Sequence, residues 1–146
     1  MSSGEALAEP IILLVEDNPI DVLMVKRALK NGGFQNQPMV LDDGEPALAL
    51  LSRRGAFEGS SLPDLVILDL NLRKVDGPEV LSFIRSKPEL KSILVIILSS
   101  SPEDVMKSNA AQADYYIEKP NDAASFLSLG DRIRSFYSSS IQKTEA

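Results

Sequence analysis

The sequence predicts a doubly wound α/β fold, a five-stranded parallel sheet with helices on both faces. Five short apolar runs alternate with five segments of helical spacing, and the first run is apolar throughout, as a strand covered on both faces must be. Several of these runs also stop abruptly at an acidic or hydroxyl residue, which marks where chemistry would collect.

Ile11–Val15 is a continuous, largely β-branched apolar run that ends in Glu16-Asp17, the pattern of a buried parallel strand. Asn18 offers a capping side chain and Pro19 a preset first turn. Val22, Val25, Ala28 and Leu29 then recur at helical spacing until Asn31-Gly32-Gly33 stops the helix. Met39–Leu41 reads as a short strand, Pro46–Leu51 as a helix, Leu65–Leu68 as a strand and Glu79–Arg85 as a helix. Ile93–Leu98, Glu103–Ala111, Tyr115–Ile117 and Ala123–Tyr137 extend the alternation as strand, helix, strand and helix. The stretch from Ser52 to Pro63 is rich in Gly, Ser and Arg and longer than most connections in such folds, so an exposed loop is expected. Residues 1–9 are expected to be loose, 10–137 to form one domain, and 138–146 to be a loose tail that can order at a dimer interface.

With 146 residues, 44% of them apolar, the chain can bury one core without metal or disulfide staples. A net charge of -6 disfavours a broad footprint on nucleic acid or anionic lipid. Cysteine is absent, so disulfides, thiolate metal sites and thiol nucleophiles are excluded. Histidine is absent too, which removes Ser-His-Asp and Cys-His catalysis, imidazole ligands and a phosphohistidine on this chain. Chemistry falls to carboxylates, hydroxyls and lysine. The first ten residues lack a secretory pattern and no apolar run reaches membrane-spanning length, so a cytoplasmic protein is the expectation.

Parallel strands bring their carboxyl ends to one rim, and ligands of open α/β sheets bind there. Glu16 and Asp17 end the first strand, Asp69 the third, Ser99 the fourth and Lys119 the fifth. Crowded carboxylates repel unless a cation joins them, and Mg²⁺ suits a few oxygen ligands, retained waters and phosphate oxygens. The Lys119 ammonium and Ser99 hydroxyl add phosphate-binding groups, favouring phosphoryl chemistry over a calcium site. Each feature alone has a plainer reading. Glu16-Asp17 could simply feed a helix start, Ser99–Ser101 could be a capping cluster, Lys119-Pro120 is a common loop dipeptide, and Tyr116 is a half-buried strand aromatic. Asp69 is harder to dismiss, because a carboxylate directly ending a buried strand needs a partner.

The segments LLVEDNPID (Leu13–Asp21), PDLVILDLNL (Pro63–Leu72), IILSSS (Ile96–Ser101) and YYIEKP (Tyr115–Pro120) resemble the signature of response-regulator receiver domains, over nearly the whole chain. The resemblance implies the flavodoxin-like receiver fold, strand order 2-1-3-4-5 with five helices. It implies that Asp69 accepts a phosphoryl group from a histidine kinase, and that Asp17 and the backbone carbonyl of Asn71 join Asp69 around Mg²⁺, or Mn²⁺ in its place, with Glu16 in support. Lys119 would pair with the acceptor and then the phosphate, and the family admits a cis Lys119–Pro120 bond. Ser99 would be the switch hydroxyl and Tyr116 the aromatic that turns inward. The chain would not be a turnover enzyme: it would phosphorylate itself from phosphohistidine and hydrolyse the product slowly.

The EDNPID opening, the long loop before the third strand and the lack of an output domain make the chain similar to the small single-domain receivers of phytochrome-type histidine kinases. That subgroup implies protein-protein output and a homodimer through the C-terminal half, with Tyr115, Phe126, Ile133, Phe136 and Tyr137 as apolar contacts. Departures from the common pattern are Arg73 for proline, Ser99 for threonine, Ser100 for a smaller residue and Gln112 for glycine. Two rivals stand beside this reading. A haloacid-dehalogenase-like phosphatase would want an acid where Asn71 stands, and a binding scaffold that never carries phosphate would have little use for Asp17, Asp69, Ser99 and Lys119 together.

Overall fold

The computed structural model describes residues 9–70, 72, 77–100 and 113–145. Its parallel sheet comprises β1 (Ile12–Val15), β2 (Met39–Leu41), β3 (Leu65–Asp69), β4 (Leu94–Ser99) and β5 (Tyr115–Glu118), in the order β2-β1-β3-β4-β5. This is the expected doubly wound, flavodoxin-like arrangement. The helices are α1 (Pro19–Asn31), α2 (Gly44–Leu51), α3 (Gly77–Ser86) and α4 (Ala123–Glu145), with a 3-10 turn at Gly55–Phe57. Of the five expected helices four are therefore described. The one over Glu103–Ala111 lies outside the described residues, as do Asn71, Arg73 and Gln112.

The apolar runs sort themselves by strand alternation. Leu13, Val15, Val66, Leu68, Val95 and Ile97 face α2 and α3, while Ile12, Leu14, Leu65, Ile67, Ile96 and Leu98 face α1 and α4. Both faces of β1, β3 and β4 are covered, which is why these runs carry almost no polar residue. The Asn18 side chain accepts hydrogen bonds from the Ile20 and Asp21 amides at 2.9 and 3.2 Å, so the first turn of α1 begins where the sequence indicates. Helix α2 begins earlier than the expected Pro46, at Gly44. A first-turn proline lacks only an N–H that would have had no intrahelical partner, so it need not be the first helical residue.

The larger departure is at the end of the chain. Helix α4 runs on past Tyr137 to Glu145, where a tail was expected. Ile141 packs against the same core as Phe126, Leu129, Ile133 and Tyr137, and this continuation of helical spacing outweighs the weak propensity of Ser138–Ser140. Phe126, Ile133 and Tyr137 are buried inside the domain, so they are core residues and not the exposed dimer contacts expected of them. Tyr115 and Phe136 are half-buried, their rings stacked at 5.0 Å and 8°. Helices α1 and α4 pack more extensively than any other helix pair described, and they cross at Gly32 and Gly130.

Candidate functional site

The strand ends meet at one rim. Glu16 follows β1 and its amide donates to the Leu41 carbonyl at 3.0 Å; Asp69 is the last residue of β3 and Ser99 the last of β4. Lys119 follows β5, and its amide donates to the Ser99 carbonyl at 2.7 Å, which stitches the fourth and fifth strand ends together. Glu16, Asp69 and Ser99 are buried, and Asp17 is half-buried. The structure thus brings together Glu16, Asp17, Asp69, Ser99 and Lys119, all five of which were singled out from sequence. Asn71 lies outside the described residues.

One oxygen from each of Glu16, Asp17 and Asp69 lies within 4.8 Å of the other two. Beside them the Lys119 ammonium sits 2.9 Å from Glu16 Oε1, 2.9 Å from Asp21 Oδ2 and 3.6 Å from Asp69 Oδ1. Its contact with Asp21 is a hydrogen bond. Glu16 Oε1 is close enough for an ion pair, yet the angle leaves this buried oxygen without an aligned donor, while Oε2 accepts from the Asn18 amide at 3.2 Å.

The electrostatics follow from this crowding. Burial pushes the Glu16 carboxyl up to about 7, with the Asp69 charge adding to the rise and Lys119 and the Asn18 amide opposing it. Burial alone would lower the Lys119 ammonium, but Asp21 and Glu16, assisted by Asp69, outweigh it and hold the lysine above its ordinary range. Among the described residues a single ammonium stands among four carboxylates, which leaves this part of the rim short of positive charge. A hard divalent cation fits the donor set, since three carboxylates converge and a buried oxygen lacks an aligned donor.

Asp21 is the residue the sequence reading passed over. It occupies the first turn of α1, where an acid is commonplace because the helix dipole favours it, and that ordinary explanation concealed its reach to Lys119. Its inclusion in the LLVEDNPID segment was the available signal. Tyr116 is 49% exposed on β5, on the face opposite Ile117. Ser100 is exposed. Every described peptide bond is trans, Lys119–Pro120 included, so the cis bond admitted by the resemblance is not found; trans is the ordinary preference of an X–Pro bond. Among the described residues no helix is long and apolar enough to cross a membrane.

Residues 12–129 match the model of the response regulator receiver domain. The chain belongs to the response regulator receiver family. Receivers of this kind are in general signalling proteins and not turnover enzymes. The chain is 36% identical over 137 residues to the response regulator Rcp1 of Synechocystis sp., covering 92% of this chain and 93% of that protein. It superimposes on the crystal structure of the phosphorylated cyanobacterial phytochrome response regulator RcpA with a TM-score of 0.81 at 37% identity, covering 88% of this receiver and 94% of that one. It also superimposes on the Mn²⁺-bound form of Rcp1 with a TM-score of 0.79 at 37% identity, with the same coverage of 88% and 94%.

Proposed function

We propose that this receiver takes a phosphoryl group from the phosphohistidine of a sensor histidine kinase onto Asp69 and signals through protein-protein contact. The observation that carries this reading is the buried Asp69 carboxylate with the Lys119 ammonium 3.6 Å away, in the same acidic cluster as Glu16 and Asp17. An Asp69 oxygen attacks phosphorus as the P–N bond to the kinase imidazole breaks, and the imidazole leaves with the electron pair. Asp17, Asp69 and the Asn71 backbone carbonyl would hold Mg²⁺, or Mn²⁺, with Glu16 in support. When bound, the ion neutralises negative charge on the transferred group. Lys119 carries three N–H donors and can give one to a phosphoryl oxygen while keeping its carboxylate partners.

Ser99 is the switch hydroxyl: it donates to a second phosphoryl oxygen once Asp69 is modified. Its strand pairs with β5, Ser99 opposite Glu118 and Ile97 opposite Tyr116, so a shift at the end of β4 is felt beside the Tyr116 ring. Tyr116 then turns inward, and the changed face is read by a partner. Water slowly hydrolyses the acyl phosphate and resets the switch.

The likeness to Rcp1 and RcpA supports a phytochrome-type kinase as the donor. The stacked, half-buried Tyr115 and Phe136 support a homodimer through the C-terminal half. The net charge of -6 supports a role without direct contact to nucleic acid or membrane, in the cytoplasm. Residues 10–137 and the remainder of α4 act as one domain in this reading. The test is incubation with acetyl phosphate and Mg²⁺ followed by intact mass: one phosphoryl group should appear on the wild type and none on Asp69→Asn. Modification that survives in Asp69→Asn sinks the assignment, and sustained multi-turnover release from a generic phosphate ester would instead make the chain a hydrolase.

A further inference from the structure

We propose that Asp21 is a positioning residue for Lys119, holding the ammonium off the acceptor carboxylate yet within reach of incoming phosphoryl oxygens. The inference rests on the reading of Asp69 as acceptor and names the residue that poises its lysine.

Three carboxylates surround Nζ, but they do not hold it equally. Asp21 Oδ2 accepts a hydrogen bond at 2.9 Å. Glu16 Oε1 is equally near but meets the ammonium at a poorer angle, and Asp69 Oδ1 at 3.6 Å is beyond hydrogen-bond length. Asp21 is therefore the anchor. Its own position is fixed by the helix that carries it, because its amide donates to Asn18 Oδ1 at 3.2 Å in the capped first turn of α1. A short side chain on a capped helix is a better reference point than the four-carbon stem of a lysine, so the lysine follows the aspartate. Asp21 is not one of the three carboxylates that converge as candidate metal ligands, which separates its task from ion binding.

The placement matters because Lys119 can serve the transfer well or badly. An N–H bonded directly to Asp69 Oδ1 would engage the lone pair that must attack phosphorus and would occupy the volume a phosphoryl oxygen needs. At 3.6 Å the ammonium leaves that approach open and still stabilises charge developing on the transferred group. With Asp21 removed, the anions left around the ammonium are Glu16 and Asp69, and the lysine draws in toward that pair and closes on the acceptor.

The experiment uses the full chain with acetyl phosphate as donor, where the Asp69 O–P bond forms as the P–O bond to acetate breaks and acetate leaves with the electron pair. Time-resolved intact mass gives the initial rate for wild type, Asp21→Asn, Asp21→Ala and Asp21→Glu. Calorimetric Mg²⁺ affinity and thermal midpoints are measured on the same samples. Asp21→Asn and Asp21→Ala should slow incorporation by about tenfold, the scale of losing one charge-assisted contact in the transition state. Asp21→Glu should restore most of the rate, and Mg²⁺ affinity should stay near wild type throughout. If Asp21→Ala does not fold, the near-isosteric Asp21→Asn carries the test. Wild-type rates in Asp21→Asn and Asp21→Ala overturn the inference, as does a slow Asp21→Asn that Asp21→Glu fails to restore, which would mark a merely structural role. Absence of phosphoryl mass on the wild type overturns the acceptor reading and this inference with it, a result distinct from either.

Discussion

Replacing Gly130 by alanine sets two known effects against each other at the tightest helix crossing described. Gly130 lies inside α4, where alanine is the better helix former by about 1 kcal/mol. A Cβ built there would lie 2.8 Å from the Gly32 nitrogen and the Ala28 carbonyl carbon, and closer still to the Ala28 carbonyl oxygen. Those neighbours are backbone atoms of α1 and of the residue that ends it, so no rotamer change can relieve the contact. Overpacking typically costs about 1–3 kcal/mol, and a clash with two backbones belongs at the upper end, leaving a net loss of about 1–2 kcal/mol after the propensity gain. For a domain of this size that corresponds to a thermal midpoint lower by roughly 3–7 °C. Far-UV circular dichroism on a heating ramp measures it, with Ser128→Ala on the exposed side of the same helix as the control that should hold or gain stability. A midpoint for Gly130→Ala equal to or above wild type would refute the reasoning: propensity would have won, and the α1–α4 contact would be soft.

Asp69→Asn should keep the fold, being nearly isosteric, and lose all phosphoryl incorporation by intact mass. Lys119→Ala removes the cation shared by Glu16, Asp21 and Asp69, so the magnesium-free protein should lose about 3 kcal/mol in a denaturant titration, and added Mg²⁺ should recover part of it while signalling stays lost. Glu16 supplies a pH dependence: with its carboxyl raised from 4.5 to about 7, the folded magnesium-free protein holds a proton that the unfolded chain has released. Stability should therefore fall as pH climbs from about 4.5 to about 7, and Glu16→Gln should flatten that slope in denaturant midpoints taken across the window.

The sheet was legible because its central strands are apolar on both faces, a pattern few other elements produce, and because each run stops at the residue that forms the rim. The rim itself was legible for a topological reason: once strands are parallel, Glu16, Asp69, Ser99 and Lys119 must share an edge whatever their separation in the chain. Side-chain reach was not legible. Asp21 looks like any first-turn acid until Lys119 is found 2.9 Å from it, a contact between residues remote in sequence. The end of α4 was hidden in a similar way. Ser138–Ser140 weaken the local helical signal, and only the packing of Ile141 on the core across from α1 shows why the helix continues. Local propensity was informative where it agreed with burial and misleading where burial overrode it.

Helix α1 joins these observations, because its two ends answer to different parts of the molecule. Its first turn carries the Asn18 cap and the Asp21 carboxylate that holds Lys119, while Gly32 at its end seats against Gly130 and the Gly32 and Gly33 carbonyls accept from Arg134. The Arg134 guanidinium also lies 3.8 Å over the Phe34 ring, so the chain just after α1 is clamped from α4. A helix of 13 residues is a rod of roughly 20 Å, stiff enough that a displacement imposed at one end is carried to the other. In this reading the glycine crossing helps to set the position of Asp21, and through it the position of the lysine, without touching the rim. Gly130→Ala should therefore slow phosphoryl incorporation from acetyl phosphate even at temperatures where it is fully folded, and Ser128→Ala should not. A folded Gly130→Ala with the wild-type rate would mean that the first turn of α1 is positioned by its local contacts alone.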